Sequence, residues 1–269
     1  MPQIGIADKI TLDAIKTKVD TNLDAKVSAL NTNINTVKTN VGSNSDAASA
    51  TGSVHAKLKQ ILAAMPSITQ DPYGTPGPQI LTAGTLGSGY FGFTSASELI
   101  TGDALASAVG ITQGTSQFSS EGWFKFAYTQ KILFIAKKTI RHSISWDHIN
   151  GVGAVFGGAV VVIGDKIYKV RLMTGGEAQP ASKAGGEWNL FMYGLHKDQL
   201  PPWANYNDQD LHTNSAYGNG FYSWCQETDK SSSDSRVGRG YSGVASFSTR
   251  TSSNTANYIG WRPCLELIS

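Results

Sequence analysis

The chain has 269 residues, a formal net charge of +2, 16% charged residues and two cysteines. That length sustains a core without metal or disulfide staples, and so few cations form no stripe for a phosphate backbone, which argues against nucleic acid as a partner. No apolar run approaches the length of a bilayer span, and the opening Met-Pro-Gln-Ile-Gly-Ile-Ala-Asp-Lys lacks the basic and apolar regions of a secretion signal, so neither membrane insertion nor standard export is expected.

Three zones follow one another by composition. Residues 8–65 contain no aromatic residue, 66–90 concentrate Pro and Gly, and every Trp comes later. The expected organisation is a docking segment and coiled-coil stalk over 1–65, a linker over 66–90 and a globular head over 91–269.

In the first zone Leu23, Val27, Leu30, Ile34, Val37 and Val41 recur at alternating four- and three-residue steps, the seam of a heptad coiled coil. Leu12, Ile15 and Val19 lead into it with one extra four-residue step, a stutter. The intervening Asn and Thr are poor helix formers, so a lone helix is marginal and self-association must stabilise it. Val and Ile at a with Leu at d lean towards two strands; Val37 at a d position blurs that rule. The seam leaves dimer and trimer open.

Gly42 begins a break. Ser53 then caps a short second helix with Val54, Leu58, Ile61, Leu62 and Met65 on one face, and Pro66 stops it. The Asp-Pro-Tyr-Gly-Thr-Pro-Gly-Pro run at 71–78 reads as a semi-extended linker.

The head reads as α+β. Trp123–Tyr128 alternates, Lys131–Lys137 is an apolar run, and 159–163 with 166–172 form a hairpin around Gly164-Asp165. Ser145 looks like a helix cap. From about residue 200 the chain is Gly, Ser, Asn and Tyr with isolated aromatics, which predicts loops. Cys225 and Cys264 fit no zinc ribbon or redox pair and read as buried thiols.

Several motifs of the head resemble, in the same order, the C-type-lectin-like fold of the formylglycine-generating enzyme (sulfatase-modifying factor) family. Ile144-Ser-Trp-Asp147 is similar to that family's Val-Ser-Trp-Asp. Val170-Arg-Leu-Met-Thr-Gly-Gly176 with Glu187-Trp-Asn189 resembles its Arg-Leu-Pro-Thr-Glu and Glu-Trp-Glu. Gly218-Asn-Gly-Phe-Tyr-Ser-Trp-Cys-Gln226, Arg236-Val-Gly-Arg-Gly-Tyr-Ser242 and Asn257-Tyr-Ile-Gly-Trp-Arg262 resemble its Gly-Asn-Val-Trp-Glu-Trp-Cys-Gln, Arg-Val-Leu-Arg-Gly-Gly-Ser and Asn-Ile-Gly-Phe-Arg. The likeness implies structural Trp residues at 146, 188, 224 and 261. It also implies an Arg262 that pairs with a buried carboxylate such as Glu187 or bonds loop carbonyls.

Catalysis is where the chain departs from that family. Its enzymes use paired cysteines just before the terminal Gly-Phe-Arg, whereas Val244–Tyr258 contains none, and the histidines have no iron-site spacing. No Gly-x-Ser-x-Gly elbow supports a triad from His142 and Asp147. Asn207, Asp208 and Asp210 lack EF-hand spacing and read as a solvated acidic loop. The expectation is no enzyme, no metal and no cofactor.

The same fold serves display in phage variable proteins, and the stalk, with its Gly-Ser-Asn to Ala-Lys-Leu run, resembles phage tail and baseplate segments. A Tyr-, Ser-, Asn- and Gly-rich surface suits adaptable recognition, and several heads on one stalk turn modest contacts into avidity. The resemblance implies a homotrimeric tail-fibre or tail-tip protein exposed on the virion. It would attach to other virion proteins through its N-terminus and bind a host cell-surface glycan or protein. The expected binding face is Trp203, Tyr206, Tyr217, Tyr222, Arg236, Tyr241, Phe247, Arg250, Asn254 and Tyr258, with Arg250 and Tyr258 foremost. The alternative is a purely structural virion component, a collar, decoration or baseplate protein, whose head contacts other virion proteins.

Overall fold

The computed structural model describes residues 6–43, 45–47, 49, 51–64, 69–176, 185–200 and 202–268. The chain divides into two units, residues 1–67 and 68–269.

The first unit is helical. Helix α1 (Ile6–Val41) runs without interruption through the Asn- and Thr-rich sequence. Threonine hydroxyls at 17, 21, 32, 36 and 39 fold back onto the carbonyl four residues earlier, so they compete little with the helix for solvent-side bonds. The seam residues Leu12, Ile15, Val19, Leu23, Val27, Leu30, Ile34, Val37 and Val41 are all 42–67% exposed, an apolar stripe along a largely polar helix. Gly42, at φ +74, ends α1 in the left-handed conformation that glycine tolerates. The Ser53 hydroxyl accepts from Ala56 N and starts α2 (Val54–Ala64), while His55 Nδ1 lies 2.7 Å from the Val41 carbonyl. Met65 and Pro66, expected at the end of α2, lie outside the described residues, as do the side chains of Ile61 and Leu62.

The second unit is mixed α and β, built on two sheets rich in antiparallel pairs. Its elements in chain order are β1 (Ala83–Thr85), β2 (Ser88–Thr94), α3 (Gly102–Ala108), β3 (Thr115–Ser116), β4 (Trp123–Tyr128), β5 (Lys131–Ala136), β6 (Arg141–His142) and α4 (Trp146–Gly151). There follow β7 (Phe156–Ile163), β8 (Lys166–Arg171), α5 (Gly186–Phe191), α6 (Asp208–Leu211), β9 (Tyr222–Asp229), β10 (Ser232–Arg239), β11 (Phe247–Thr251), β12 (Ile259–Trp261) and β13 (Cys264–Leu267). A seven-stranded sheet has the order β1-β2-β4-β5-β13-β8-β7, and a six-stranded sheet the order β11-β10-β9-β12-β6-β3. Every strand pair is antiparallel except β9 with β12.

The centre of the large sheet is buried on both faces, and the period-2 geometry of a strand shows which residue goes where. Trp123, Ala127, Ile132, Phe134 and Ala136 enter one apolar cluster with Trp146, Trp224 and Trp261. Phe124, Phe126, Leu133 and Ile135 enter a second with Trp188, Phe191, Cys225 and Cys264. Trp146, Trp188, Trp224 and Trp261 are each at most 5% exposed, and both cysteines are buried thiols. The hydroxyl of Ser145 accepts from His148 N and caps α4 as expected.

Two expectations are corrected. The Pro/Gly-rich stretch assigned to a linker over 66–90 belongs, from residue 69 on, to the second unit. Asp71 N donates to Gln79 O, Leu81 N donates to Thr69 O, and β1 with β2 begins the large sheet. What fixes the segment is a fully buried ion pair, Asp71 with Lys125 Nζ at 2.8 Å. That ammonium also donates to the Thr75 and Pro78 carbonyls, and the Asp71 carboxylate accepts from Tyr73 N and Thr75 N. The Gly/Ser-rich end, expected as loops, contains β9 to β13. Its strands escape a pattern search because their inward positions are filled by Tyr222, Gly238 and Arg239 instead of aliphatic residues.

Candidate functional site

The outer end of the small sheet sets the geometry. β10 and β11 pair with Arg236 opposite Arg250 and Gly238 opposite Ser248, so these four residues share one face. Tyr222 of β9 lies across that face, and a Cβ on Gly238 would meet its ring at 2.3 Å. Only glycine lets the phenol lie flat there.

Two loops complete the cluster. Gly240, at φ +92, turns the chain out of β10 and delivers Tyr241. Tyr222 N donates to the Tyr258 carbonyl at 3.0 Å and brings the chain before β12 alongside. The rings of Tyr222, Tyr241 and Tyr258 meet with centroids 5.9–6.5 Å apart, and Phe221 packs at 5.5 Å from Tyr241.

Arg250 sits among the three tyrosines, its guanidinium carbon 5.6–5.7 Å from each ring centroid. Its Nε donates to the Tyr258 hydroxyl at 3.2 Å, and Nη1 donates to Ser248 Oγ and the Thr249 carbonyl. The side chain is thereby held in one pose while half-buried. Arg236 stacks on Trp146 at 4.4 Å and donates from Nη1 to the Ser233 and Ser235 carbonyls. Burial pushes the Tyr222 phenol well above its ordinary range, so it stays neutral.

The ten residues expected on one binding face separate. Tyr222, Arg236, Tyr241, Arg250 and Tyr258 come together. Tyr222, however, is fully buried, so it forms the floor beneath the face and not part of its surface. Trp203, Tyr206 and Phe247 are half-buried against the second apolar cluster, with Trp203 over Phe126 and Tyr206 over Phe124. The side chain of Asn254 caps its own turn by accepting from Ala256 N. Tyr217 stays exposed on a short 3-10 turn. Sequence reasoning missed Ser248, Phe221 and the stacking of Arg236 on Trp146. The Ser248-x-Arg250 alternation was the available signal, but it says nothing until the partner strand is known.

Comparison with family models, curated proteins and solved structures finds no match.

Elsewhere, polar groups that suggested chemistry have structural partners. Asn207 and Asp210 form a capping box on α6, and Asp208 accepts from Thr213 Oγ1 and Val244 N. His142 lies against Ser143 Oγ, while Asp147 accepts from Ser252 Oγ, so the two are not brought together. Arg262, fully buried, donates to the Leu211 and Lys137 carbonyls and to Ser223 Oγ, and burial draws its pKa down to about 9. Glu187 is taken instead by Arg171, through both guanidinium nitrogens. Burial pushes the Cys264 thiol up to about 12. Among the described residues no group of three His, Cys, Asp or Glu side chains is placed to hold a metal, and no helix is long and apolar enough to cross a membrane. A cavity of about 280 Å³ between Tyr73, Lys131, Lys169 and Glu266 holds the Lys131–Glu266 ion pair.

Proposed function

We propose that this chain is a bacteriophage tail-fibre or tail-tip protein, with α1 as a self-associating coiled-coil stalk and a C-type-lectin-like second unit that binds a host cell-surface receptor. The observation that carries the reading is the Arg250 cluster: a half-buried cation fixed by Ser248 and Tyr258 among three tyrosine rings, with Tyr241 40% exposed at its rim. Tyrosine gives contact area and a hydroxyl at low entropic cost, and a pre-positioned arginine needs little further ordering on binding.

The stalk supports the same reading. Nine seam residues from Leu12 to Val41 are close to half exposed or more. Fully burying such a side chain contributes about 1.5–3 kcal/mol, so covering the exposed half of nine yields on the order of 10 kcal/mol per chain. A second or third copy of the same helix provides that cover, in dimer or trimer, and brings several binding faces to one surface.

The test is binding of the labelled full chain to a panel of bacterial cells and purified cell-wall polysaccharides. The Arg250→Ala/Tyr258→Ala variant is expected to lose adsorption while its melting temperature stays within a few degrees of wild type. Undiminished adsorption by the folded variant overturns the site.

A second reading, a structural virion component, rests on a different observation. β7 is an edge strand without a single charged residue, and Phe156, Val160 and Val162 on it are 64%, 50% and 69% exposed. Such an edge suits a permanent protein contact. Substituting Val160→Lys and Val162→Lys separates the readings: lost incorporation into particles with intact cell binding favours the structural role for this edge.

A further inference from the structure

The geometry points to an acidic glycan as the ligand of the Arg250 face, its carboxylate or phosphate seated between Arg236 and Arg250; this rests on the receptor-binding reading above and deepens it. The two arginines are direct cross-strand partners on one face of β10 and β11. Like charges in that position repel, and side chains so paired lie within reach of a common ligand.

Neither charge is paired with an acid among the described residues, where no carboxylate oxygen lies within 4 Å of either guanidinium. The acidic groups on the surrounding elements have other partners: Asp147 accepts from Ser252, Asp229 from Ser231, Asp234 from Ser233, and Glu227 of β9 from Gly175 N and Gly176 N. By contrast, Arg171 of the large sheet is matched by both Glu187 and Glu266, while the buried Arg239 and Arg262 spend their donors on carbonyls and neutral side chains.

Donors also remain open. Arg250 commits Nε and Nη1 but not Nη2, and Arg236 commits only Nη1. Arg236 Nε is buried without a hydrogen-bond partner among the described residues. The aromatic rings around both guanidiniums, Trp146 on one side and three tyrosines on the other, stabilise positive charge without cancelling it. A planar carboxylate or a phosphodiester supplies the missing acceptors to forked donors, and the partly exposed Tyr241 and Tyr258 offer ring faces to the attached sugars.

The experiment titrates the full chain with polygalacturonate, with poly(glycerol phosphate) and with neutral dextran, in low and moderate salt. Either acidic polymer is expected to bind at least tenfold more tightly than dextran, with affinity falling as salt rises. The two polymers distinguish a carboxylate from a phosphate source. Arg236→Gln and Arg250→Gln should each weaken that binding about tenfold or more, while both variants keep the wild-type far-UV circular dichroism spectrum. No preference for acidic over neutral polymer, through equal binding or through none, overturns the assignment. Loss of cell adsorption in Tyr258→Ala but in neither Arg→Gln variant overturns it too, and leaves receptor binding standing. Conversely, arginine-dependent capture of an acidic polymer with no adsorption to any cell supports the anion site and sinks the host-receptor reading.

Discussion

Replacing Lys125 by Met is the most direct probe of how the second unit is closed. Lys125 and Asp71 are both wholly buried, and Lys125 spends its three donors on Asp71, Thr75 O and Pro78 O. Removing one partner of a buried pair leaves an uncompensated charge and costs about 3–5 kcal/mol. For a unit of this size that lowers the melting temperature by roughly 10 °C. The double variant Asp71→Asn/Lys125→Met removes both charges and should recover most of the loss, since a pair replaced by neutral groups of similar volume is often close to neutral. Urea denaturation of the three proteins, with limited proteolysis at 71–78, measures both effects. Burial alone would raise the Asp71 pKa, yet bonds from Lys125, Thr75 and Tyr73 hold it below the usual carboxylate range. Its stabilisation is therefore present above the unfolded carboxyl value of about 3.9 and lost as pH falls below that. A Lys125→Met protein within about 1 kcal/mol of wild type, no more cleavable at 71–78, refutes the reasoning, because a detached linker predicts that result.

Three further outcomes are expected. His212 is buried and neutral, and burial together with the charge of Arg262 lowers its pKa from 6.5 to about 4. The unfolded chain takes up a proton first, so on the order of 3 kcal/mol of stability is lost as pH falls from about 6.5 to 4, and His212→Phe should flatten that part of the pH–stability curve. Gly238→Ala pushes a methyl into the Tyr222 ring and should cost about 1–3 kcal/mol in denaturant titrations, with loss of ligand binding in the fraction that remains folded. Leu23→Ser/Leu30→Ser should shift the full chain towards monomer in sedimentation by removing about 2–3 kcal/mol of burial per chain, and an unchanged mass would exclude the seam as the association surface.

What could be read from sequence depended on whether buried positions were apolar. Helix α1, the β4–β5 pair and the hairpin of β7 and β8 were legible because Val, Ile, Leu and Phe recur at helical spacing or at period 2. β10 was not, because its inward residues include Gly238, which makes room for Tyr222, and Arg239, buried by bonds to Gly175 O and the Asn189 side chain. The linker assignment failed for a related reason. Pro and Gly mark a tight, bonded loop as readily as a free one, and the deciding residue, Lys125, stands on a strand far along the chain. Of the site, the roster of residue types was legible. The pairing that unites Arg236 with Arg250 and turns Phe247 to the other core depends on strand register, which local sequence does not specify.

The position of β13 between β5 and β8 bears on how the unit is made. It is the last strand to be synthesised, yet it is the seam that joins the β1-β2-β4-β5 group to the β7–β8 hairpin. Until Cys264 to Leu267 emerge, the large sheet exists as two halves, each with a bare edge able to pair with a neighbouring chain. A product cut short before Cys264 keeps both edges open, so truncated chains should aggregate or be degraded.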